Sequence, residues 1–478
     1  MTIITPITGG AGVVPLGALA RGHHTVRSRA LAGEAGEFAG GWAETDLHLP
    51  EDVYPDATLD LLFREDWKTY TEPAGQGYGG VFSTPDAALT FDRNSEAGRF
   101  DPAGLFESVA ADVLRRDYDP ATLAARGALI EAAVAYQGVN SDLAGGNAST
   151  PPTGISTPAP TGIIKSYEYG TAFGAPYVDV KLDGTATSTD PLYILFGAST
   201  SFAASAGDIW TGAAWVQLIR DTTGCLSNLS MRVDAYTGAG AYISSGGLTS
   251  FWSTASAAAR RSTTFTLPAT TGFARPVIIS SSVASGTAVA VTIRVWLPRF
   301  TKTPYVPSPL LVGTSAVTRL ADSLSLPLGS WFNPLAGTLL AEVVIPYTLS
   351  TGYAGLASIS DGTLANRVTL AHYHGNGLSA DGVISGSVGQ AVFTTGAALV
   401  AGAVRKQAIT WAANDVQDAV DGALSAVDTS ATIPSGMTRL DIGALTASAN
   451  NPLNGWVRRI TYWPYRMAGA EMQARTAA

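Results

Sequence analysis

Between residues 163 and 466 the sequence returns to one pattern: a short β-rich run closed by Gly, Pro, Asp, Asn or Ser. VAVTIRVW is the clearest case. In an extended strand successive side chains alternate faces, so Val289, Val291, Ile293 and Val295 share one side and Ala290, Thr292, Arg294 and Trp296 the other. YVDVKL, LYILF, AWVQLI, LSMRV, TTFTL and PVIIS come before it; TLLAEVVIP, AGLASI, RVTLAHY, QAVFTT, RKQAITWAA, RLDIGAL and WVRRITYW follow. Asp183-Gly184, Thr271-Gly272 and Ser285-Gly286 separate runs, and Asp421-Gly422 has the residue types of a two-residue hairpin turn. Many short strands punctuated in this way predict a mostly β protein: two antiparallel β-sandwich (jelly-roll) modules in tandem after an irregular N-terminal anchor region.

The remaining segments fill in that plan. Residues 1–57, rich in Gly, Ala and Pro, show no clean period and read as an extended arm. Residues 58–140 read as a junction domain. ATLDLLF is a strand with Leu59, Leu61 and Phe63 on one side, FDRNSEAGRF is two short strands about a turn, and DYDPATLAARGALIE is a turn followed by a helical turn stopped by Gly127. Residues 141–162, SDLAGGNASTPPTGISTPAPTG, are composed like a linker with nothing to build a core. The first sandwich is expected over 163–305, a connector over 306–325 and the second sandwich over 326–478, ending in a short helix-like tail.

Composition narrows the function classes. Charged residues are 14% of the chain, against about 25% in average soluble domains, so Ser, Thr, Gly and Ala must cover much of the surface. A net charge of −9 argues against nucleic acid and anionic membranes as partners. Cys225 is the single cysteine, so no intrachain disulfide forms and a small buried hydrophobe is the expected role. The N-terminus lacks the order of a signal peptide, and glycines break the apolar stretch Ser387 to Val404, so neither a leader nor a membrane insertion is expected.

No catalytic constellation stands out. There is no Gly-x-Ser-x-Gly elbow before a helix, no Gly-rich loop with a Lys, and no Cys-His cluster. Most acidic residues of the last block sit beside Gly or Asn and read as turn residues; Glu342, on a strand, is the one acid that merits testing. In His372-Tyr373-His374, alternation puts both imidazoles on one face. An exposed polar strand end, a glycan contact and half of a metal site all remain open for it.

The run FDRNSEAGRFDPAGLFESVAADVLRRDYDPATLAARGALIE, Phe91 to Glu131, resembles the junction segment of bacteriophage tail-fibre and head-spike proteins, or their gene-transfer-agent counterparts. IRVWLPRFTKTPYVPSPLLVGTSAVTRLADSLSL is similar to the closing strand and exit segment of a carbohydrate-binding-like jelly roll in such proteins. There Tyr305 to Pro307 and Thr318 to Asp322 occupy the characteristic places. WFNPLAGTLLAEV, AITWAANDVQDAVDGALSAV and LNGWVRRITYWPYRMAGAEMQA resemble a concanavalin-like, laminin-G-type sandwich. Together the resemblance spans Ala57 to Ala478; after Glu131 the stretch Ala132 to Gly138 departs from the family's usual continuation.

The resemblance implies a virion structural protein, made in the bacterial host cytoplasm and displayed on the virion surface. It would attach to host surface glycan by multivalent, non-catalytic binding. Its partners would be virion base, tail or capsid-vertex proteins and further copies of itself, a homotrimer first. The alternatives are a capsule depolymerase and a purely architectural spike. The candidate carbohydrate contacts are Phe251 and Trp252, in the strand-less GGLTSFWSTAS, with His372, Tyr373 and His374. Trp210, Trp215, Tyr236 and Tyr242 cluster in the same block and read mostly as core. No cofactor is expected, although a laminin-G-type sandwich makes calcium possible, held by Asp361 and Asn366 or by Asn414, Asp415 and Asp418.

Overall fold

A computed structural model describes residues 81–250, 259–446 and 451–477, and before them 2–7, 22–32, 37–38, 43–49, 54, 56–64 and 68–71. The protein is built almost wholly of β-strands. It divides into two compact units, residues 91–322 and residues 1–90 with 323–478.

The 91–322 unit is an antiparallel sandwich. One sheet orders strands Ile163–Ala172, Ala175–Thr185, Ala288–Thr301, Val134–Tyr136 and Val317–Arg319, with Ile209–Asp221 and Ala259–Thr266 also joined to it. The facing sheet orders Ile155–Ser156, Asp190–Phe196, Thr271–Val283, Leu229–Thr237 and Tyr242–Ser250. The expected alternation holds: Val289, Val291, Ile293 and Val295 enter the core between the sheets with Val178, Val180, Met231 and Ile278.

Residues 141–162 differ from the linker that their composition suggests. Leu143 and Ile155 belong to the same core. The polar residues around them are spent on fixing the backbone. The Asn140 amide donates to Ala144 O at 3.0 Å and Thr153 O at 2.7 Å, while Ser141 Oγ accepts from Val312 N at 2.7 Å. Composition counts apolar residues, and two well-placed ones suffice here to anchor the segment.

Residues 91–131 form short strands throughout, Ala97–Phe100, Phe106–Val109, Arg116–Tyr118 and Ala125–Ile130. The helical turn expected before Gly127 is absent. Asp119 instead accepts hydrogen bonds from the backbone of Ala121 and Thr122 and closes a tight loop, and a side chain that bonds its own backbone competes with a helix. Gly98 is required because a Cβ there would lie 2.1 Å from Pro309 O.

The crossing of 91–131 with 306–322 is held by buried charge. Asp322, 0% exposed, meets Arg115 Nη2 at 2.6 Å, Arg93 Nη1 at 3.3 Å and Arg319 Nη1 at 3.5 Å, and accepts the Glu131 backbone N–H at 2.8 Å. Glu131 meets Arg115 Nη1 at 2.8 Å and accepts from the Ser308 N–H at 2.8 Å and its hydroxyl at 2.7 Å. Three guanidiniums face two carboxylates, so the surplus donors go to carbonyls: Arg93 to Ala110 O at 2.6 Å and Arg115 to Gly98 O at 3.1 Å.

The second unit is also a sandwich. One sheet orders Ala423–Leu424, Asp415–Val420, Val404–Ala412, Gly337–Val344, Gly455–Trp463, Leu59–Leu62, Lys68–Thr71 and Val81–Ser83. The other orders Val388–Phe393, Asp381–Ser385, Arg367–Tyr373, Tyr353–Ser360, Arg439–Ile442 and Ser323–Pro327. Asp421 and Gly422 have φ of 47° and 81°, the type I′ geometry that their residue types predict. Leu59–Leu62 is buried on both faces, since Asp60 pairs with Arg459 Nε at 2.9 Å. The terminal tail is a helix, Gly469–Thr476, with Met472 buried. The N-terminal arm differs from the irregular segment expected: Thr2–Ile7 pairs in parallel with Gly22–Ala32, which pairs with Ala43–Leu49. A ladder of backbone groups needs no hydrophobic period.

Three outcomes follow from these charges. Asp322→Ala should cost the 91–322 unit about 3–5 kcal/mol in denaturant unfolding, because it strands buried guanidiniums. Glu107→Ala, which breaks the exposed Arg99–Glu107 pair, should cost under ~1 kcal/mol. Burial pushes the Glu131 carboxyl up, but Arg319, Arg115 and Ser308 outweigh it and hold it at about 2. A lowered acid stabilises above its unfolded value of about 4.3 and loses that contribution as pH falls through its folded value. Urea midpoints of this unit should therefore drop between about pH 4 and 2, and Glu131→Gln should flatten that drop.

Candidate functional site

The strand Leu229–Thr237 sorts its residues by alternation. Met231, Val233 and Ala235 are 0% exposed in the core, so Arg232, Asp234 and Tyr236 face the opposite way. Antiparallel register sets Asp234 beside Arg275 and Tyr236 beside Phe273 on one flank, and Tyr236 beside Tyr242 on the other. The outer face of this sheet thus gathers two arginines, one carboxylate and a group of rings.

Asp234 organises them. Arg232 Nε lies 2.7 Å from Asp234 Oδ1 and Arg275 Nη2 lies 3.7 Å from Oδ2. Tyr236 OH donates to Asp234 Oδ2 at 3.1 Å and accepts from Arg275 Nη2. Burial, and then the Asp234 charge, push the Tyr236 phenol up to about 12, so it remains a donor at neutral pH. The Arg275 guanidinium sits 5.0 Å from the Tyr236 ring centroid. Tyr242, 54% exposed, meets Tyr236 edge-on at 5.9 Å. Two cations against one anion leave a positive charge beside exposed aromatic surface. The opposite sheet's outer face lacks that surplus in its ladder of pairs: Arg294 meets Asp179 at 2.8 Å, Arg220 meets Asp183 at 2.6 Å, and Lys181 meets Glu168.

Of the residues singled out in the sequence, Phe251 and Trp252 lie outside the described residues. Trp210 is buried against Phe300 at 4.6 Å, and Trp215 stacks on Trp296 at 6.2 Å. Tyr236 and Tyr242 line the outer face. Arg232, Asp234 and Arg275 were not singled out, although the polar–apolar alternation of MRVDAY carries the signal. Glu342 is spent on an ion pair with Arg458 at 2.9 Å.

His372 and His374 share a face as alternation requires, but that face is the sandwich interior. They are 1% and 7% exposed with ring centroids 4.8 Å apart, so the exposed-strand-end reading is corrected. Tyr373 points the other way, against Tyr353 at 4.8 Å. The reason is what the neighbouring and facing strands supply at this end of the core: Asp381 from the same sheet and Arg405, Gln407 and Asp418 from the other, all 2% exposed or less. Asp381 Oδ1 accepts from Gln407 Nε2 and Ala371 N, both at 2.8 Å, and Asp418 Oδ1 accepts from Thr395 Oγ1 at 2.8 Å. His372 Nδ1, His374 Nδ1, Asp381 Oδ2 and Arg405 Nη2 have no hydrogen-bond partner. Burial, then His374 and Arg405, lower His372 to about 4. Burial, then Asp418, hold Asp381 well above the usual carboxylate range.

The candidate calcium ligands are engaged in other bonds. Asp361 accepts from Thr363 N at 2.8 Å and Thr363 Oγ1 at 2.6 Å, and Asn366 Nδ2 donates to it at 2.8 Å, which is turn chemistry. Asp415 pairs with Arg466 at 2.7 Å, Asn414 occupies a turn with φ 58°, and Asp418 is buried. Among the described residues no group of three or more His, Cys, Asp or Glu is arranged to hold a metal ion. Cys225 is half-buried, and burial pushes its thiol up.

No protein-family model and no curated protein matches the chain. Solved structures similar to it include the Ruminococcus gnavus IT-sialidase CBM40 bound to alpha2,3 sialyllactose, at 16% identity over 30% of this chain and 84% of that one, TM-score 0.27. The N-terminal CBM22-1-CBM22-2 tandem domain of Paenibacillus barcinonensis Xyn10C is similar at 8% identity over 66% and 93%, TM-score 0.23. Trypanosoma rangeli sialidase is similar at 10% identity over 65% and 61%, TM-score 0.25. The sequence reading took the chain for a protein without catalysis. Sialidases, which are enzymes, stand among the structures similar to it, and that assignment is withdrawn.

A raised Asp makes stability fall as pH climbs from the unfolded value of about 3.9 through the folded one. Asp381→Asn, which mimics the protonated carboxyl, should match the wild-type urea midpoint of the C-terminal unit near pH 4 and exceed it increasingly above. Midpoints measured across that range check this.

Proposed function

We propose that this chain is a carbohydrate-binding attachment protein whose 91–322 unit grips a carboxylate-bearing glycan on its outer sheet face. The observation that carries the reading is the group Arg232–Asp234–Tyr236–Arg275 beside the exposed Tyr242. The exposed Tyr242 ring offers a flat surface to a sugar face. The guanidinium edges offer hydrogen bonds, and the surplus positive charge selects an acidic sugar. Trp252, which follows the end of the strand Tyr242–Ser250, is proposed to extend the same contact.

The setting we propose is a virion surface, as a tail fibre or head spike that docks on host polysaccharide. The resemblance of Phe91–Glu131 and of the 306–325 segment to fibre junctions supports it. The buried arginine–carboxylate network gives those two segments a shared structural purpose. Single sites of this kind are weak, and several copies, a trimer first, would raise avidity by orders of magnitude.

Binding of a carboxylate-bearing oligosaccharide, measured by calorimetry, should weaken at least about tenfold in Arg275→Ala, the scale of one charge-assisted hydrogen bond. It should also weaken in Tyr242→Ala. Unchanged affinity in both would remove the face from the account. New reducing ends on incubation with host capsule would add cleavage to binding.

A further inference from the structure

On the C-terminal unit an open depression of about 450 Å³ is walled by Val392–Gly396 and Ala423–Ala426. Its floor has a particular polarity. Thr395 Oγ1 donates its proton inward to Asp418 Oδ1 at 2.8 Å. Ser425 Oγ accepts the Asp418 N–H at 3.0 Å and turns its own proton toward Asp418 O at 3.4 Å. Both hydroxyls have spent their protons on a residue that is 0% exposed, so what they can offer a ligand is lone pairs. Phe393 and Leu424 supply apolar surface beside them.

Behind the floor lies the buried polar end of the core, where burial raises both Asp418 and Asp381, Asp381 further through Asp418, and where Arg405 is also buried. The unpartnered Asp381 Oδ2 and His372 Nδ1 lie in this same cluster, which is more polar than packing alone calls for. Such a site repels an anion at its acceptor floor, and none of the residues that line it is charged, so no side chain there draws a cation. It suits an uncharged ligand rich in O–H donors.

We propose that this depression is a second carbohydrate site, which takes a neutral hydroxyl-rich sugar whose O–H groups donate to Thr395 and Ser425. It stands independently of the acidic-glycan face on the other unit, and the two claims fail separately.

Saturation-transfer NMR of the full chain with the methyl glycosides of glucose, galactose and mannose tests it. Transfer to at least one glycoside is expected, and it should persist in Arg275→Ala. It should fall by at least about tenfold in affinity in Thr395→Val, which removes the hydroxyl and keeps the shape. Should that variant fail to fold, Ala426→Trp, placed at an exposed rim position, fills the depression without touching the buried bonds and should abolish transfer. No transfer to any of the three glycosides, transfer that survives Ala426→Trp, or transfer that Arg275→Ala abolishes would overturn the proposal.

Discussion

The 91–322 unit depends on Asp322. One fully buried carboxylate receives three guanidiniums, Arg93, Arg115 and Arg319, together with the backbone N–H of Glu131. Buried charges are tolerated only when every one of them has partners, because desolvating an ion costs several kcal/mol. Here the cost is met by geometry. Glu131 takes a second position against Arg115, Ser308 bridges, and backbone carbonyls take several of the donors that two carboxylates cannot, leaving Arg115 Nε and Arg319 Nε without a hydrogen-bond partner. The consequence is register. Segments nearly two hundred residues apart in sequence can meet in only one alignment, and the sandwich between them is closed by that alignment.

The same physics runs in two other places with different outcomes. On the outer face of that sandwich, Asp234 is outnumbered by Arg232 and Arg275 in partial contact with solvent. A carbonyl takes only part of that excess, Arg275 Nη1 donating to Gly197 O at 3.4 Å, and the proposed ligand would meet the rest. At the polar end of the C-terminal core, Asp381, His372, His374 and Arg405 are buried with several atoms unpartnered. That arrangement gives up stability, since an unmade buried hydrogen bond costs about 1–3 kcal/mol. Buried polar networks also specify a unique core, and Thr395 and Ser425 connect this one to the depression over Asp418.

Much of this architecture was legible in the sequence because its signals are local. Alternation in VAVTIRVW, the Asp421-Gly422 turn and the tail at Gly469–Thr476 each depend on a few consecutive residues. Alternation also placed His372 and His374 on one face. Whether that face was wet or dry depended on Asp381, Gln407 and Asp418, which other strands bring in. Residues 141–162 misled because Leu143 and Ile155 are too few to shift a composition, yet they are well enough placed to anchor it. The ion network was invisible as a network: Arg115, Glu131 and Asp322 carry no sequence mark of pairing across 207 residues. The Tyr236 face was half visible, with its rings noted and its arginines missed, because Arg275 joins it only through strand pairing.

The central claim is that an acidic glycan is held on the outer face built by Leu229–Thr237, Tyr242–Ser250 and Thr271–Val283. Hydrogen–deuterium exchange of the full chain, with and without a carboxylate-bearing oligosaccharide, tests it most directly. The account predicts added protection in peptides covering those three strands and none in the 163–185 and 288–301 strands of the opposite sheet. Protection confined to the opposite sheet, or unchanged exchange at saturating oligosaccharide, would contradict it.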